Sequence, residues 1–439
     1  MTQASANPPR SGGNQALSIG IIGALFFIFG FVTWLNGTLI PFLKLACDLQ
    51  TDAQALLVTF AFYMAYFCLA LPSSFILQRV GFKNGMSLGL AIMAGGALLF
   101  VPAASSRSFA LFLTGLFVQG MGLALLQTAS NPYISVIGPL ESAASRISIM
   151  GICNKVAGAL SPLILGAIVL QGASETEARI ASAASATDRL QLLQELSHRV
   201  ITPYVVMAGV LFALALAIRF SPLQDINPGV EDSTKSQAGG RSSIWQFPHL
   251  LLGVVCIFVY VGVEVMAGDV IGPYAKSLGM SLDQTKNLTS YTLWSMVAGY
   301  TIGVFMIPKY LKQETALALS AVTGIALAGA AFASGGRTAV TCIALLGFAN
   351  SLMWPAIFPL AIDGLGRFTK TGSALLIMGI AGGAIVPQVY ARLALKLGAQ
   401  PAFFWCTLPC YVFILHYALR GHRAGRGRME ILKTENRSS

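Results

Sequence analysis

The sequence predicts an all-α membrane protein, with twelve spanning helices arranged as two six-helix halves. Three observations lead to this class. The 439 residues are 55% hydrophobic and only 10% charged, whereas about 25% of the residues of a soluble domain are charged. The apolar residues form blocks long enough to cross a bilayer as a helix, which takes about 20 residues. Finally, short motifs of the first half recur in the second half.

Each apolar block is continuous, without the alternation of polar and apolar residues that marks outer-membrane strands. Each block is therefore predicted to be a helix. The predicted spans are 17–43, 54–78, 84–104, 108–137, 145–171, 201–220, 247–275, 286–307, 314–334, 338–363, 371–396 and 400–420.

Polar stretches divide the chain into five segments. The first residues are polar and rich in Pro and Gly, and the apolar run after them is too long for the core of a secretory signal. A polar insert at 172–200 separates the fifth and sixth spans, and its stretch 188–197 predicts a surface helix. The predicted segments are a disordered tail (1–16), a first half (17–220), a cytoplasmic linker (221–246), a second half (247–420) and a basic cytoplasmic tail (421–439).

The two halves share short motifs at a constant spacing. The stretch LQTASNPYISVI around Pro132 aligns with MWPAIFPLAIDG around Pro359, 227 residues further on. The tetrapeptide IMGI begins at Ile149 and recurs at Ile377, 228 residues further on. Parallel repeats of this kind are typical of transporters, whose binding sites lie near the membrane midplane between the repeats.

Basic residues predict the orientation. With a cytoplasmic N-terminus, most of the 28 Lys and Arg residues fall on the cytoplasmic side, as the positive-inside rule requires. We therefore expect an inner (plasma) membrane protein of bacterial type, with both termini in the cytoplasm. The Arg-rich tail suits anionic lipid headgroups, so the net charge of +11 does not predict a nucleic-acid partner.

Enzymatic activity is not predicted, because the sequence lacks a nucleotide-binding loop, a metal-ligand pattern and a nucleophile with a neighbouring base. The seven cysteines show no metal or disulfide spacing and are interpreted as small packing residues. We expect no catalytic residue, no metal and no cofactor.

Glu264 interrupts the apolar run of the seventh span. A charged group at membrane depth costs roughly 2.5–3.5 kcal/mol and usually faces a bundle interior or a water-filled path. Lys155 lies in the fifth span, at a depth that differs from that of Glu264 by roughly 9 Å at 1.5 Å per residue. The two are predicted to be within reach of each other, either as a permanent ion pair or as a pair switched by a coupling ion.

The coupling ion is predicted to be a proton, because no compact cluster of oxygen ligands for sodium is evident around Glu264. Asp269 is a further candidate for ion coupling. It lies about 140° around the helix from Glu264, nearer the external end, where it could simply be solvated.

Side-chain amides in the spans are the candidates for binding a polar substrate. Gln127 and Asn131 lie one turn apart on one helix face, and each amide offers both a donor and an acceptor, as sugar hydroxyls require. The alternative is hydrogen bonding between helices. The rings of Trp34, Tyr291, Trp294 and Trp354 could stack on a pyranose, or serve as packing and interface anchors. The predicted substrate-binding residues are Asn36, Gln127, Asn131, Asn154, Trp354 and Gln388.

Five motifs carry a family resemblance: LNGTLIP from Leu35, QTASNPY from Gln127, YVG from Tyr260, WPAIF from Trp354 and GGAIV from Gly382. They resemble signatures of the fucose:proton symporter family of the major facilitator superfamily. The resemblance extends over nearly the whole chain. The first half is most similar to the glucose/galactose transporter branch, and an N-acetylglucosamine carrier of the family is close behind.

This resemblance implies the major facilitator fold, in which helices 1, 4, 7 and 10 line a cavity that opens alternately to each side. In the fucose carriers an Asp of helix 1 and a Glu of helix 4 take part in substrate binding and proton coupling, whereas this sequence has Gly37 and Gln127 there. Tyr300 lines up with an Arg. The three charged candidates named above line up with uncharged residues, so the coupling residues cannot be transferred, and fucose is disfavoured.

The expected function is proton-coupled import of a hexose of the glucose/galactose type, by a monomer surrounded by membrane lipid. Sodium coupling, an N-acetylglucosamine-type substrate and uncoupled facilitation remain alternatives. Efflux of amphipathic drugs would require a mostly apolar cavity, which the amides disfavour. No feature supports a receptor built on a transporter fold.

Overall fold

The computed structural model describes residues 12–136, 143–223, 243–307, 310–365 and 368–425. Within these ranges every regular element is a helix, which confirms the predicted all-α class. The predicted tails and the linker fall largely outside the described residues.

The described residues before the linker form ten α-helices. Two of them, α8 and α9, are short helices in the predicted insert, and α9 confirms the predicted surface helix. The helices are α1 (Gly12–Thr33), α2 (Asn36–Ala46), α3 (Asp52–Ala55), α4 (Leu57–Leu98), α5 (Phe100–Ser106), α6 (Phe109–Val136), α7 (Ala143–Val169), α8 (Ala173–Ala181), α9 (Ala186–His198) and α10 (Ile201–Phe220).

Ten more α-helices lie in the described residues after the linker. Each predicted span of this half corresponds to one helix or to two consecutive helices. They are α11 (Pro248–Gly268), α12 (Ile271–Ser277), α13 (Leu282–Thr285), α14 (Leu288–Met306), α15 (Gln313–Ala333), α16 (Gly336–Asn350), α17 (Met353–Ile362), α18 (Thr369–Met378), α19 (Gly382–Leu397) and α20 (Ala399–Leu419).

The lengths and hydropathy of these helices suit a membrane. Among the described residues, eleven helical segments are long and apolar enough to cross a bilayer. The predicted eighth span corresponds to α14, a 19-residue helix whose Thr and Ser residues make it less apolar. Large apolar side chains such as Phe75, Phe212 and Phe305 are exposed on the outside of the bundle, where lipid would cover them.

Helices 1 and 7 of the predicted bundle are both interrupted. The first breaks at Trp34–Leu35, between α1 and α2, and the seventh breaks at Asp269–Val270, between α11 and α12. Interrupted spans at corresponding places in two repeats are a strong indicator of a transporter binding site. The carbonyl of Gly268, at the second break, accepts a hydrogen bond from the Thr289 hydroxyl at 2.7 Å, so α14 satisfies backbone that the break leaves open.

Helices before and after the linker pack directly on each other. Helix α7 contacts α14, α4 contacts α18 and α19, and α2 contacts α12. The insert helices α8 and α9 pack on each other at one end of the bundle, which we call the α8 end. There α9 contacts α2 and α5, and α8 contacts α13 of the other half. The site described below lies between the halves, inward from this end.

Candidate functional site

A salt bridge joins the two halves of the bundle. The Nζ atom of Lys155, on α7, lies 2.9 Å from Oε1 of Glu264, on α11, and both side chains are only 10% exposed. The sequence prediction that these residues are within reach of each other is confirmed. Glu264 lies among helices and not at the lipid surface. Because a buried charge is costly without a partner, each residue stabilises the charged form of the other.

Two aromatic side chains complete the surroundings of the pair. The Tyr260 hydroxyl, one turn before Glu264 on α11, donates a hydrogen bond of 2.8 Å to the same Oε1 atom. The Lys155 ammonium lies 4.6 Å from the centroid of the Trp34 ring, within the range of a cation–π interaction. Glu264 therefore accepts two hydrogen bonds, and Lys155 interacts with a carboxylate and an aromatic face.

Trp34 sits at the break of the first span, between two glycines. A Cβ atom on Gly158 of α7 would lie 2.3 Å from the indole, and one on Gly268 of α11 would lie 2.4 Å from it. Neither position has room for a side chain while the indole keeps its place. The ring is 2% exposed and touches both halves, so it fills the space between the two broken helices.

Trp354 extends the site on the other side of Tyr260. The two rings have centroids 6.4 Å apart, and Trp354 stacks on Phe358 at 5.8 Å. Unlike Trp34, Trp354 is only partly buried. A half-buried indole beside a hydrogen-bonded phenol and a carboxylate offers a flat apolar face next to polar groups, which is the combination that a pyranose ring requires.

Gln127 and Asn154 contribute amides from the first half. Gln127 donates a hydrogen bond of 2.7 Å to the Tyr66 hydroxyl, and Asn154, next to Lys155, donates one of 3.4 Å to the Phe26 carbonyl. Gln127 and Asn154 are 4% and 7% exposed, and the salt-bridge residues are 8% exposed. All four side chains are therefore buried among the helices.

Asn36 begins α2, directly after the break, and is fully buried. Both polar atoms of its amide lack a hydrogen-bond partner, as does the indole nitrogen of Trp34 two residues earlier. Buried polar atoms are usually satisfied, so this pair of orphaned groups marks a place for water or a hydroxyl-bearing ligand.

Four other sequence candidates lie elsewhere or have side chains outside the described part of the chain. Gln388 donates a hydrogen bond of 3.3 Å to the Ala53 carbonyl, which places it at the α8 end. Asn131 belongs to α6, but its side chain lies outside the described part of the chain. Tyr291 and Trp294, considered for stacking on a sugar, are 58% and 42% exposed on the outside of the bundle.

Asp269 is fully buried at the break of the seventh span, so the interpretation that it could simply be solvated is wrong. Neither carboxyl oxygen has a partner at hydrogen-bond geometry. The Gly37 backbone amide of α2 lies close enough to act on the carboxyl group electrostatically, as do Glu264 and Lys155. Asp269 and the salt bridge therefore form one electrostatic cluster.

Polar contacts between the halves close the α8 end. The Ser174 amide donates to Asp283 at 3.3 Å, and the Asp283 amide donates back to the Ser174 hydroxyl at 3.2 Å. Glu177 of α8 forms an ion pair with Lys276 of α12. Burial acts to raise the pKa of Asp283, but hydrogen bonds from Ser174 and Lys286 outweigh it, and the pKa is lowered.

The described side chains of the site offer amide hydrogen-bonding groups, an ammonium and a carboxylate. Within the described residues, no three His, Cys, Asp or Glu side chains are grouped to hold a metal ion. Sequence reasoning missed the hydrogen-bonding roles of Tyr260 and Tyr66. The four-residue spacing between Tyr260 and Glu264 was a usable signal for the first, whereas no local pattern indicates the contact between Tyr66 and Gln127.

An all-helical bundle with paired, interrupted spans and a charged pair between its halves defines a membrane transporter. Residues 22–412 match the model of the Major Facilitator Superfamily. The chain belongs to this superfamily and is not an enzyme.

Relatives and solved structures agree with this assignment. The chain is 34% identical over 414 residues to a glucose/galactose transporter of Brucella abortus, covering 94% of this chain and 95% of that protein. It is 28% identical to the L-fucose-proton symporter of Escherichia coli over 92% of both chains. A crystal structure of the E. coli fucose:proton symporter superposes with a TM-score of 0.73 at 26% identity, covering 93% of this chain and 99% of that one. The predicted resemblance to the fucose:proton symporter family is confirmed.

Proposed function

We propose that this transporter imports a hexose of the glucose/galactose type across the inner membrane, driven by protons. Its similarity to proteins with glucose/galactose transporter in their names supports the substrate class. Its similarity to L-fucose-proton symporters supports the coupling ion. In this proposal both termini are cytoplasmic, and the α8 end faces outward.

The single observation that carries the proposal is the salt bridge between Lys155 and Glu264, which crosses from one half to the other. In alternating access the halves rock against each other around the substrate site. A contact across the halves changes its geometry in that motion, so a proton on Glu264 or a sugar hydroxyl beside Lys155 shifts the balance between states. A salt bridge within one half would keep its geometry during this motion and would not shift the balance between states.

The sugar would lie between the aromatic and amide groups around the pair. Trp354 offers the stacking face, while Gln127, Asn154 and Asn36 offer amides. Hydroxyl groups of a hexose both donate and accept, so a neutral sugar can satisfy amides, the ammonium and the carboxylate together. Binding at the pair would weaken its internal bond, and this couples substrate occupancy to the contact between the halves.

The test is counterflow in proteoliposomes that contain the purified carrier and unlabelled D-galactose. We expect entry of radiolabelled D-galactose, with competition by D-glucose and weaker competition by L-fucose. An inwardly directed proton gradient should then drive accumulation without sodium. Vesicles in which neither hexose exchanges would refute the substrate class.

The alternatives have distinct signatures in the same experiment. Exchange without accumulation under any gradient indicates a facilitator, and accumulation that requires sodium indicates sodium coupling. Competition by N-acetylglucosamine that exceeds competition by both hexoses would assign the substrate to an amino sugar.

A further inference from the structure

The salt bridge leaves one buried acid unaccounted for. Among the described residues, Glu264 and Asp269 are the two buried carboxylic acids, and Lys155 is the one buried lysine. If both acids were ionised, this cluster would carry a net negative charge inside the bundle. A single added proton makes it neutral.

The hydrogen bonds indicate which acid holds that proton. Oε1 of Glu264 accepts from both the Lys155 ammonium and the Tyr260 hydroxyl, which is the environment of an ionised carboxylate. Asp269 is 0% exposed, and neither of its oxygens meets a donor at hydrogen-bond geometry. An ionised carboxylate without a well-aligned donor is among the most costly groups to bury.

The other groups that face Asp269 do not compensate for a charge there. Glu264, on the preceding helix, repels it, and the Lys155 ammonium from α7 is already bonded to Glu264. Tyr63 from α4 interacts electrostatically with both acids, but a neutral phenol supplies no positive charge. The Gly37 amide of α2 is a single neutral donor beside the carboxyl group, and it does not reach good hydrogen-bond geometry.

The position of Asp269 links its charge to the closure of the α8 end. It lies where α11 breaks into α12, against α2 of the other half. The neighbouring contacts are tight: a Cβ on Gly37 would lie 2.3 Å from the Thr289 hydroxyl oxygen, and one on Gly268 would lie 2.4 Å from Trp34. Separating α2 from α12 would hydrate Asp269, whereas closing them removes its water.

We propose that Asp269 is a proton-binding site that must be protonated before the α8 end can close. Its role in transport rests on the proposed function. Its carboxylate takes a proton from the outer solution while the end is open, forming an O–H bond. The neutral carboxyl is then buried between α2 and α12. The closed state holds one more proton than the open state, so low pH favours closure.

Infrared spectroscopy of the reconstituted carrier tests this directly and needs no sugar. A protonated, buried carboxylic acid gives a C=O stretching band, separate from carboxylate bands. At neutral pH we expect this band in the parent and its loss in Asp269→Asn. Labelling aspartate with carbon-13 at the side-chain carboxyl should shift the band in the parent. This labelling assigns the band even if Asp269→Asn fails to fold. A parent without the band, or a band unmoved by the label, overturns the proposal.

Solvent access supplies a second measurement. Ser290 of α14 is 1% exposed and its hydroxyl has no partner, so Ser290→Cys is a reporter that an impermeant maleimide reaches from outside only when the α8 end opens. The ratio of the labelling rate with Asp269 to that with Asp269→Asn cancels the reactivity of the thiol itself. This ratio should rise with pH, by up to about tenfold per unit.

A ratio that is independent of pH overturns the proposal. If both measurements succeed while no sugar exchanges, the proton site stands and the proposed substrate fails. If sugar accumulates normally in Asp269→Asn and the parent shows no infrared band, the proposed substrate stands and the proton site at Asp269 fails.

Discussion

Lys155 and Glu264 are 109 residues apart in the chain and meet at 2.9 Å between the two halves of the bundle. One side chain comes from α7, before the linker, and the other from α11, after it. In the proposed mechanism the pair is therefore a contact that the rocking of the halves makes and breaks.

Glu264→Gln tests the pair. Removing one partner leaves a buried charge, which costs about 3–5 kcal/mol, so we expect a clear fall in the melting temperature. Gradient-driven accumulation should be lost to a greater extent than exchange. The matched control is the double variant Lys155→Met with Glu264→Gln, which removes both charges and should regain stability without regaining accumulation. Equal accumulation in Glu264→Gln and parent would remove Glu264 from the coupling mechanism.

Gln127→Ala tests the amide face of the site. A hydrogen bond between neutral groups contributes about 0.5–1.5 kcal/mol, so the KM for hexose should rise by about two- to twelve-fold. The maximal rate should change less. Gln119→Ala is a suitable control, since Gln119 is a buried amide on the same helix that packs beside Gly96. If both variants shift KM equally, the effect belongs to the helix and not to a sugar contact.

The sequence predicted the class and the charged pair because both depend on simple quantities. Hydropathy indicates the spans. A carboxylate in an apolar run, such as Glu264, costs free energy to bury in a membrane, and this cost makes it a candidate functional residue. Depth along two spans then sufficed to predict its contact with Lys155. The boundaries of the halves stay predictions.

Features that depend on how helices distant in the sequence pack together could not be predicted. The burial of Asp269 results from the break at Gly268 and the approach of α2, neither of which leaves a local pattern. The same holds for Trp34, whose position between two glycines requires both halves to be in place. Gln388 was expected near substrate, and its bond to the Ala53 carbonyl instead joins α19 to the loop helix α3.

Gly268→Ala tests the packing of Trp34 between Gly158 and Gly268. The new methyl group would lie 2.4 Å from the indole, so α11 and the first span must separate and the open state of the α8 end becomes favoured. We expect faster maleimide labelling of the Ser290→Cys reporter and slower exchange. Gly272→Ala is the control, because its Cβ would meet only the Thr285 carbonyl, at 4.0 Å. Similar labelling in both variants would argue against a role for the indole in closure.

Asp283→Asn tests the contact between the insert and the second half. Ser174 and Asp283 hydrogen-bond to each other at a partly exposed position. Polar pairs that involve an exposed charge contribute about 0.2–1 kcal/mol. Labelling of the Ser290→Cys reporter should therefore rise by up to about fivefold. Asp188→Asn provides the control, since Asp188 pairs with Ser185 inside the insert and does not reach the other half.

The pH dependence separates this contact from the buried acids. The pKa of Asp283 is lowered from 3.8, so its contribution to closure is fully present above 3.8 and is lost only as pH falls through the lowered pKa. Between pH 5 and 8 the Asp283→Asn variant should shift labelling by a constant factor. The proton site at Asp269 predicts the opposite sign, with closure favoured as pH falls. If the change in labelling rate caused by Asp283→Asn varies across this pH range, the titrating group lies at the α8 end and not at the break of the seventh span.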